Sequence, residues 1–367
     1  MNRKEEVLIK EARLRDLMAK LGLKGVLLKK QSNFSWITGG GINMVPVITE
    51  LGFTSILITE KEKFLIADRI ESARSMNEEG LRDLGYVLLE HEWFESKEYD
   101  FVKKIVPGLE VGCDISIYGL RNIEPEIKNL RYSLTPAEIE RYLWLGEKTS
   151  KAIESVLLDL KPGQTEAEVT GNLAQLLWKD RIDPVGYQAA ADDRAYKYRH
   201  PIPKENKIEK YLMLCVMARK WGLITTITRI AHFGEVPEKL IKQHRDNVFI
   251  ECAMIAATQP GVVTKEIFIK ARDLYEELGY KDEWKLHHQG GAMGYDVRDY
   301  ICNSESEEVV QENQVFCWNP SISGTKSEDA FIAQKDGFKF ITSPVLFPTI
   351  EIKVGDMVFV RPGILEK

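Results

Sequence analysis

Residues 212–232 run LMLCVMARKWGLITTITRIAH. Leu212–Ala218 and Ile224–His232 are strand-like runs joined at Trp221-Gly222, so the stretch predicts an antiparallel hairpin. It holds no aspartate or glutamate. Upstream, Thr135-Pro136-Ala137-Glu138 reads as a capping box with proline at the first helical position, opening a long helix whose inner face includes Ile153, Val156, Leu157 and Leu160. A turn at Lys161-Pro162-Gly163-Gln164-Thr165-Glu166 leads into a second helix, and a polar loop then ends at His200-Pro201. Downstream come two helical segments separated at Gln259-Pro260-Gly261, a Gly-rich stretch from His287 to Gly294, and strand-like runs at Val315–Trp318 and Ala330–Ala333. Helix–helix–hairpin followed by helix–helix–strands suggests two copies of one design.

The first third has a different texture. Leu14, Leu17, Met18 and Leu21 sit at helical spacing up to Gly22, and Val26-Leu27-Leu28 follows as a buried strand. Further strands are expected at Phe53–Thr59, Phe64–Ala67, Tyr86–Leu89 and Leu109–Gly112, with a helix at Ile70–Glu79. Two domains are therefore expected, a small α/β domain over residues 1–130 and a larger one over 131–367.

The 367 residues include 50 Lys+Arg against 56 Asp+Glu, and the net charge of −6 supplies no general basic field for nucleic acid. No apolar run approaches the length of a membrane span, and no secretory signal is expected at the amino end. The five cysteines (Cys113, Cys215, Cys252, Cys302, Cys317) are scattered without a CxxC pair, which suits a reducing, cytoplasmic setting.

The order of these landmarks, together with Thr228-Arg229 on the second hairpin strand, the His-x-x-Gly segment, Asn319-Pro320 and Ser327-Glu328-Asp329, resembles the creatinase / prolidase / aminopeptidase P family. The resemblance implies a small N-terminal domain, a pseudo-symmetric pita-bread catalytic domain and a homodimer. The family's peptidases hold two divalent metals through two aspartates, a histidine and two glutamates. Those positions fall here at Cys215, Thr226, Gly291, Asn319 and Glu328, so one ligand of five keeps its identity. Such a set cannot cage two divalent ions, because affinity depends on the number and charge of the ligands.

No metal and no other cofactor is therefore expected. His200 and His287 match substrate-side histidines of the family, and Glu328 keeps a carboxylate beside them. Arg298 stands where the peptidases have a third histidine and suits a carboxylate ligand. By likeness to creatinase, the expectation is metal-independent hydrolysis of an amide-like or amidine-like C–N bond in a small amino-acid-derived or short-peptide substrate. His200, Glu328 and His287 would be catalytic, with Arg298, Cys215, Thr226 and Asn319 binding substrate. Alternatives are a pita-bread scaffold that only binds a small molecule, peptide or protein, an ordinary Xaa-Pro peptidase, and a Cys215–His200–Asn319 nucleophilic site. The bland readings are a buried apolar Cys215, a surface-turn His200, a Glu328 salt-bridged to Lys326, and a solvated His287-His288 pair.

Overall fold

A computed structural model describes residues 1–367. The chain forms two compact units, Met1–Ala137 with Trp221–Leu223, and Glu138–Lys220 with Ile224–Lys367.

The first unit opens with helix Arg3–Leu21. Asn2 and Glu5 close a reciprocal capping box at its start, and Gly22 ends it at φ +69°, a left-handed conformation that glycine adopts without steric cost. A six-stranded mixed sheet follows, in the order 87–91, 63–68, 51–59, 25–30, 111–113, 121–122. The 25–30 strand pairs antiparallel with 51–59 and parallel with 111–113. Its apolar residues Val26, Leu27 and Leu28 are fully buried, which accounts for a continuous apolar run rather than an alternating one.

The second unit is built on a nine-stranded, curled, mainly antiparallel sheet of the pita-bread type. Its main path runs 300–301, 290–293, 314–318, 329–334, 223–232, 211–220, 183–191. The expected hairpin is present: Trp221 and Gly222 sit at φ +54° and +80°, the two positive values of a tight two-residue turn. Register places the candidate residues near one another, with Asp329 opposite Ile227, Ala330 opposite Cys317, and Cys317 opposite Gly291. Helices Pro136–Leu158 and Glu166–Lys179 precede the hairpin, and Glu238–Ala257 and Thr264–Glu277 precede the remaining strands. The doubled order expected from the sequence is thus seen in the elements.

Buried charges tie these layers together. Arg361 reaches Glu251 at 2.7 Å and Asp329 at 2.9 Å, while Arg229 reaches Asp329 at 3.1 Å and Glu154 at 2.9 Å, all fully buried. Glu154 and Glu251 belong to the two long helices, so two guanidiniums link both helices to the 329–334 strand. An unpartnered charge there would cost several kcal/mol, so the network pins the relative placement of these elements. The C-terminal run forms the hairpin Thr349–Val354/Met357–Pro362, and Ile364–Glu366 then extends the large sheet, parallel to 223–232. No helix is long and apolar enough to cross a membrane.

Candidate functional site

His200 lies in the loop after the short helix Arg194–Lys197, and His287-His288 directly follow the single helical turn Glu283–Leu286. These segments bring three imidazoles together. His200 Nε2 is 3.0 Å from His287 Nε2, and one ring nitrogen from each of His200, His287 and His288 lies within 4.8 Å of the others. Two nitrogens bound to one tetrahedral ion at ~2.0–2.1 Å would be about 3.3 Å apart, so the observed spacing is close to a ligating one. Ser321 Oγ is 3.3 Å from His287 Nδ1 and orients that ring with Nε2 toward the cluster, and His288 Nδ1 accepts the Gly290 N–H at 3.2 Å.

All three histidines are held neutral. Burial, followed by the positive field of Lys326, pushes His287 down to about 2. Burial and then Arg298 bring His288 to about 4, and burial and then Lys326 lower His200. Neutral imidazole is the form that binds metal. The cluster opens into a pocket of about 430 Å³ whose walls include Arg199, Trp284, Phe268 and Ile301.

Glu328 lies behind this cluster and is already occupied. Its Oε2 takes the Thr228 hydroxyl at 2.7 Å and the Lys326 ammonium at 3.0 Å, with the Cys215 thiol at 3.3 Å. Arg298 stands 3.6 Å from Oε1. Burial alone would raise the Glu328 carboxyl, but Lys326, Arg298 and the Thr228 hydroxyl outweigh it and hold it well below the usual carboxylate range. Lys326 also donates to Gln188 at 2.9 Å.

The two-ion cage of the family does not fit these residues. Lys326 supplies the positive charge that Glu328 needs, and the thiol of Cys215 is pushed up to about 12 by burial and by Glu328, so it stays protonated. Thr226 is spent on Cys317, its hydroxyl 2.9 Å from the sulfur. Gly291 has no room for any side chain, because a Cβ there would lie well inside contact distance of the Tyr300 carbonyl oxygen.

The three-histidine cluster overturns the expectation of a metal-independent hydrolase without any metal. The five positions matched to the family ligands lack a full set, but His200, His287 and His288 form a second set of donors. Of the residues named from sequence, His200 and His287 meet directly, while Glu328, Cys215 and Arg298 form the adjoining buried group. Asn319 is buried with its Oδ1 unpartnered, next to Gly290. Cys215 bonds to Glu328, and no Cys215–His200 bond forms. Lys326 pairs with Glu328 as the bland reading had it. His288 as a ligand was missed, although two adjacent histidines plus an upstream one were a visible signal.

The family model of metallopeptidase family M24 matches residues 144–362. An uncharacterized peptidase of Staphylococcus aureus (strain MW2) is 24% identical over 253 residues, covering 65% of this chain and 69% of its own. The Xaa-Pro dipeptidase of Pyrococcus horikoshii is 22% identical over 353 residues, covering 89% of this chain and 95% of its own. The crystal structure of an X-Pro aminopeptidase from Thermotoga maritima superposes with a TM-score of 0.77 at 18% identity, covering 97% of this chain and 99% of that one.

Proposed function

This chain belongs to metallopeptidase family M24, and on that premise we propose that it is a metal-dependent hydrolase whose single divalent ion is held by His200, His287 and His288. The reaction we assign is cleavage of an amide bond in a small molecule or short peptide. The observation that carries the reading is the convergence of three neutral imidazoles at the mouth of a pocket of ligand size. Three nitrogen donors without a carboxylate suit a borderline ion such as zinc and leave one coordination position open.

When bound, such an ion polarises a carbonyl and lowers the pKa of a water. The chain's own residues do the rest. Ser321 orients His287, and the Gly290 N–H gives up its bond to His288 Nδ1, or that ring turns over, when His288 offers a lone pair. Glu328 with Lys326 and Arg298 backs the site as a fixed, paired charge group, so Glu328 is assigned a positioning role. We also read the chain as a homodimer, supported by the exposed apolar side chains Val45, Val47, Ile48 and Phe53, which light scattering would test. The five buried free cysteines support a reducing compartment.

Metal content per chain, measured by elemental analysis after zinc, manganese and cobalt have each been offered, tests the reading. One ion per chain is expected, retained in Glu328→Gln and lost in His288→Ala. Protein that stays metal-free, or an ion lost with Glu328→Gln and kept in His288→Ala, would overturn it.

A further inference from the structure

The charge of the pocket wall identifies the substrate class, resting on the hydrolase reading above. No aspartate or glutamate lines the pocket. Its charged groups are Arg199 and Lys285, and the rings of His200, His287 and His288 sit beside them. Arg199 is firmly placed: its guanidinium pairs with Glu283 and donates to Ser323 Oγ at 2.9 Å, with the side chain 16% exposed. Glu283 is used up in the same knot, accepting also from the Ser323 N–H at 2.9 Å. Lys285 makes an ion pair with Asp282, both more than half exposed, so that pair is weak and screened, and its ammonium lies over the Trp284 ring, 5.5 Å from the centroid.

The remaining wall is apolar. Trp284 and Phe268 meet edge to face at 5.8 Å, and Leu286 and Ile301 turn largely exposed side chains to the same space. The Trp284 indole N–H is buried without a partner, so the wall also holds an unused donor.

An enzyme that grips a free amino terminus needs an acceptor, usually a carboxylate, for the ammonium. Here an ammonium would meet Arg199 and Lys285 with no carboxylate in the wall to pair it, whereas a carboxylate would meet a positioned guanidinium. We infer that the substrate is an N-acylated amino acid, or a peptide blocked at its amino end, that carries a carboxylate toward Arg199 and a bulky apolar group against Trp284, Phe268 and Ile301. In the reaction, the oxygen of water bonds to the acyl carbon, the C–N bond breaks, and a proton from water goes to the leaving nitrogen. The products are a carboxylic acid and an amine, with no change of oxidation state.

Two matched probes test this by titration calorimetry, on zinc-loaded and on metal-free protein: N-acetylphenylalanine, with a carboxylate and no amine, and phenylalanine amide, with an amine and no carboxylate. N-acetylphenylalanine is expected to bind at least about tenfold more tightly, the scale of one hydrogen bond to a charged group. Arg199→Gln should remove most of that preference, by weakening N-acetylphenylalanine and, since Glu283 loses its cation, without weakening phenylalanine amide. Lys285→Gln, at an exposed position, should reduce the preference by a smaller factor and guards against misfolding of the first variant. Equal or tighter binding of phenylalanine amide, or a preference untouched by both variants, would overturn the inference. Because the metal-free protein is titrated too, failure to bind zinc is read separately from the charge preference.

Discussion

The Lys326 ammonium lies 3.0 Å from the Glu328 carboxylate, with both side chains 3% exposed. A protein cation thus neutralises the one carboxylate that the resemblance matches to the family's metal cage. Burial opposes the charge on Lys326, and the Glu328 carboxylate 3.0 Å away outweighs it, so its ammonium form is favoured. The two partners shift in the directions expected of a mutual pair.

Lys326→Met should therefore destabilise the protein by roughly 3–5 kcal/mol, the cost of stranding one member of a buried pair. Chemical denaturation at neutral pH measures it. The pH dependence has a definite sign. The folded-state pKa of Glu328 is depressed, so its stabilisation is fully present above the unfolded carboxyl value and is lost as pH falls toward the folded one. A Lys326→Met protein whose stability at neutral pH matches the parent would show that the pair contributes nothing.

The resemblance puts Gly291 where the family has its ligand histidine, and the space around it is closed by the Tyr300 carbonyl. Even Gly291→Ala should displace the 300–301 strand, which pairs with 290–293 at this residue, and lower stability by at least about 1–3 kcal/mol, the usual cost of overpacking. Gly291→His should fare worse and gain no metal. Thermal melts and metal analysis of both variants check this. A stable Gly291→His protein holding an extra ion would show that the cage can be rebuilt.

His244 is a second buried histidine, away from the pocket, with Nε2 3.0 Å from the Pro362 carbonyl. Burial, with help from Arg229 and Arg361, lowers it to about 4 despite the carbonyl bond. An unfolded histidine takes up its proton near pH 6.5, so stability should fall as pH drops from there to about 4, by up to ~1.4 kcal/mol per pH unit for this residue. Denaturation curves across that range, for the parent and for His244→Gln, should show a shallower slope in the variant. Equal slopes would remove His244 from the acid response.

Much of the fold was legible because it is written in local signals. The Trp221-Gly222 turn, the Gly22 helix end and the apolar run at residues 26–28 act through backbone conformation and burial over a few residues. Element ends moved by a residue or two: the strand expected at Tyr86–Leu89 runs Val87–His91, and the helix expected at Ile70–Glu79 shortens to Ser72–Asn77. His288 was harder to read. Neighbouring side chains of an extended chain point to opposite faces, and from sequence His287-His288 reads as a solvated pair flanking a Gly-rich turn. In the structure the segment between the helical turn and Gly290 is irregular, and the two rings lie 4.5 Å apart, inclined by 34°.

By itself the sequence determined the family, the order of its elements and the absence of any aspartate or glutamate from residues 212–232. Those properties rest on residue identity and order, which a chain carries before it folds. Only the tertiary structure decided what replaced the cage. His200 and His287 are 87 residues apart, and Lys326 and Gln188 are 138 apart, yet each pair meets at hydrogen-bond distance. Such contacts arise from the packing of segments far apart in the chain, and residue spacing along the chain carries no record of them.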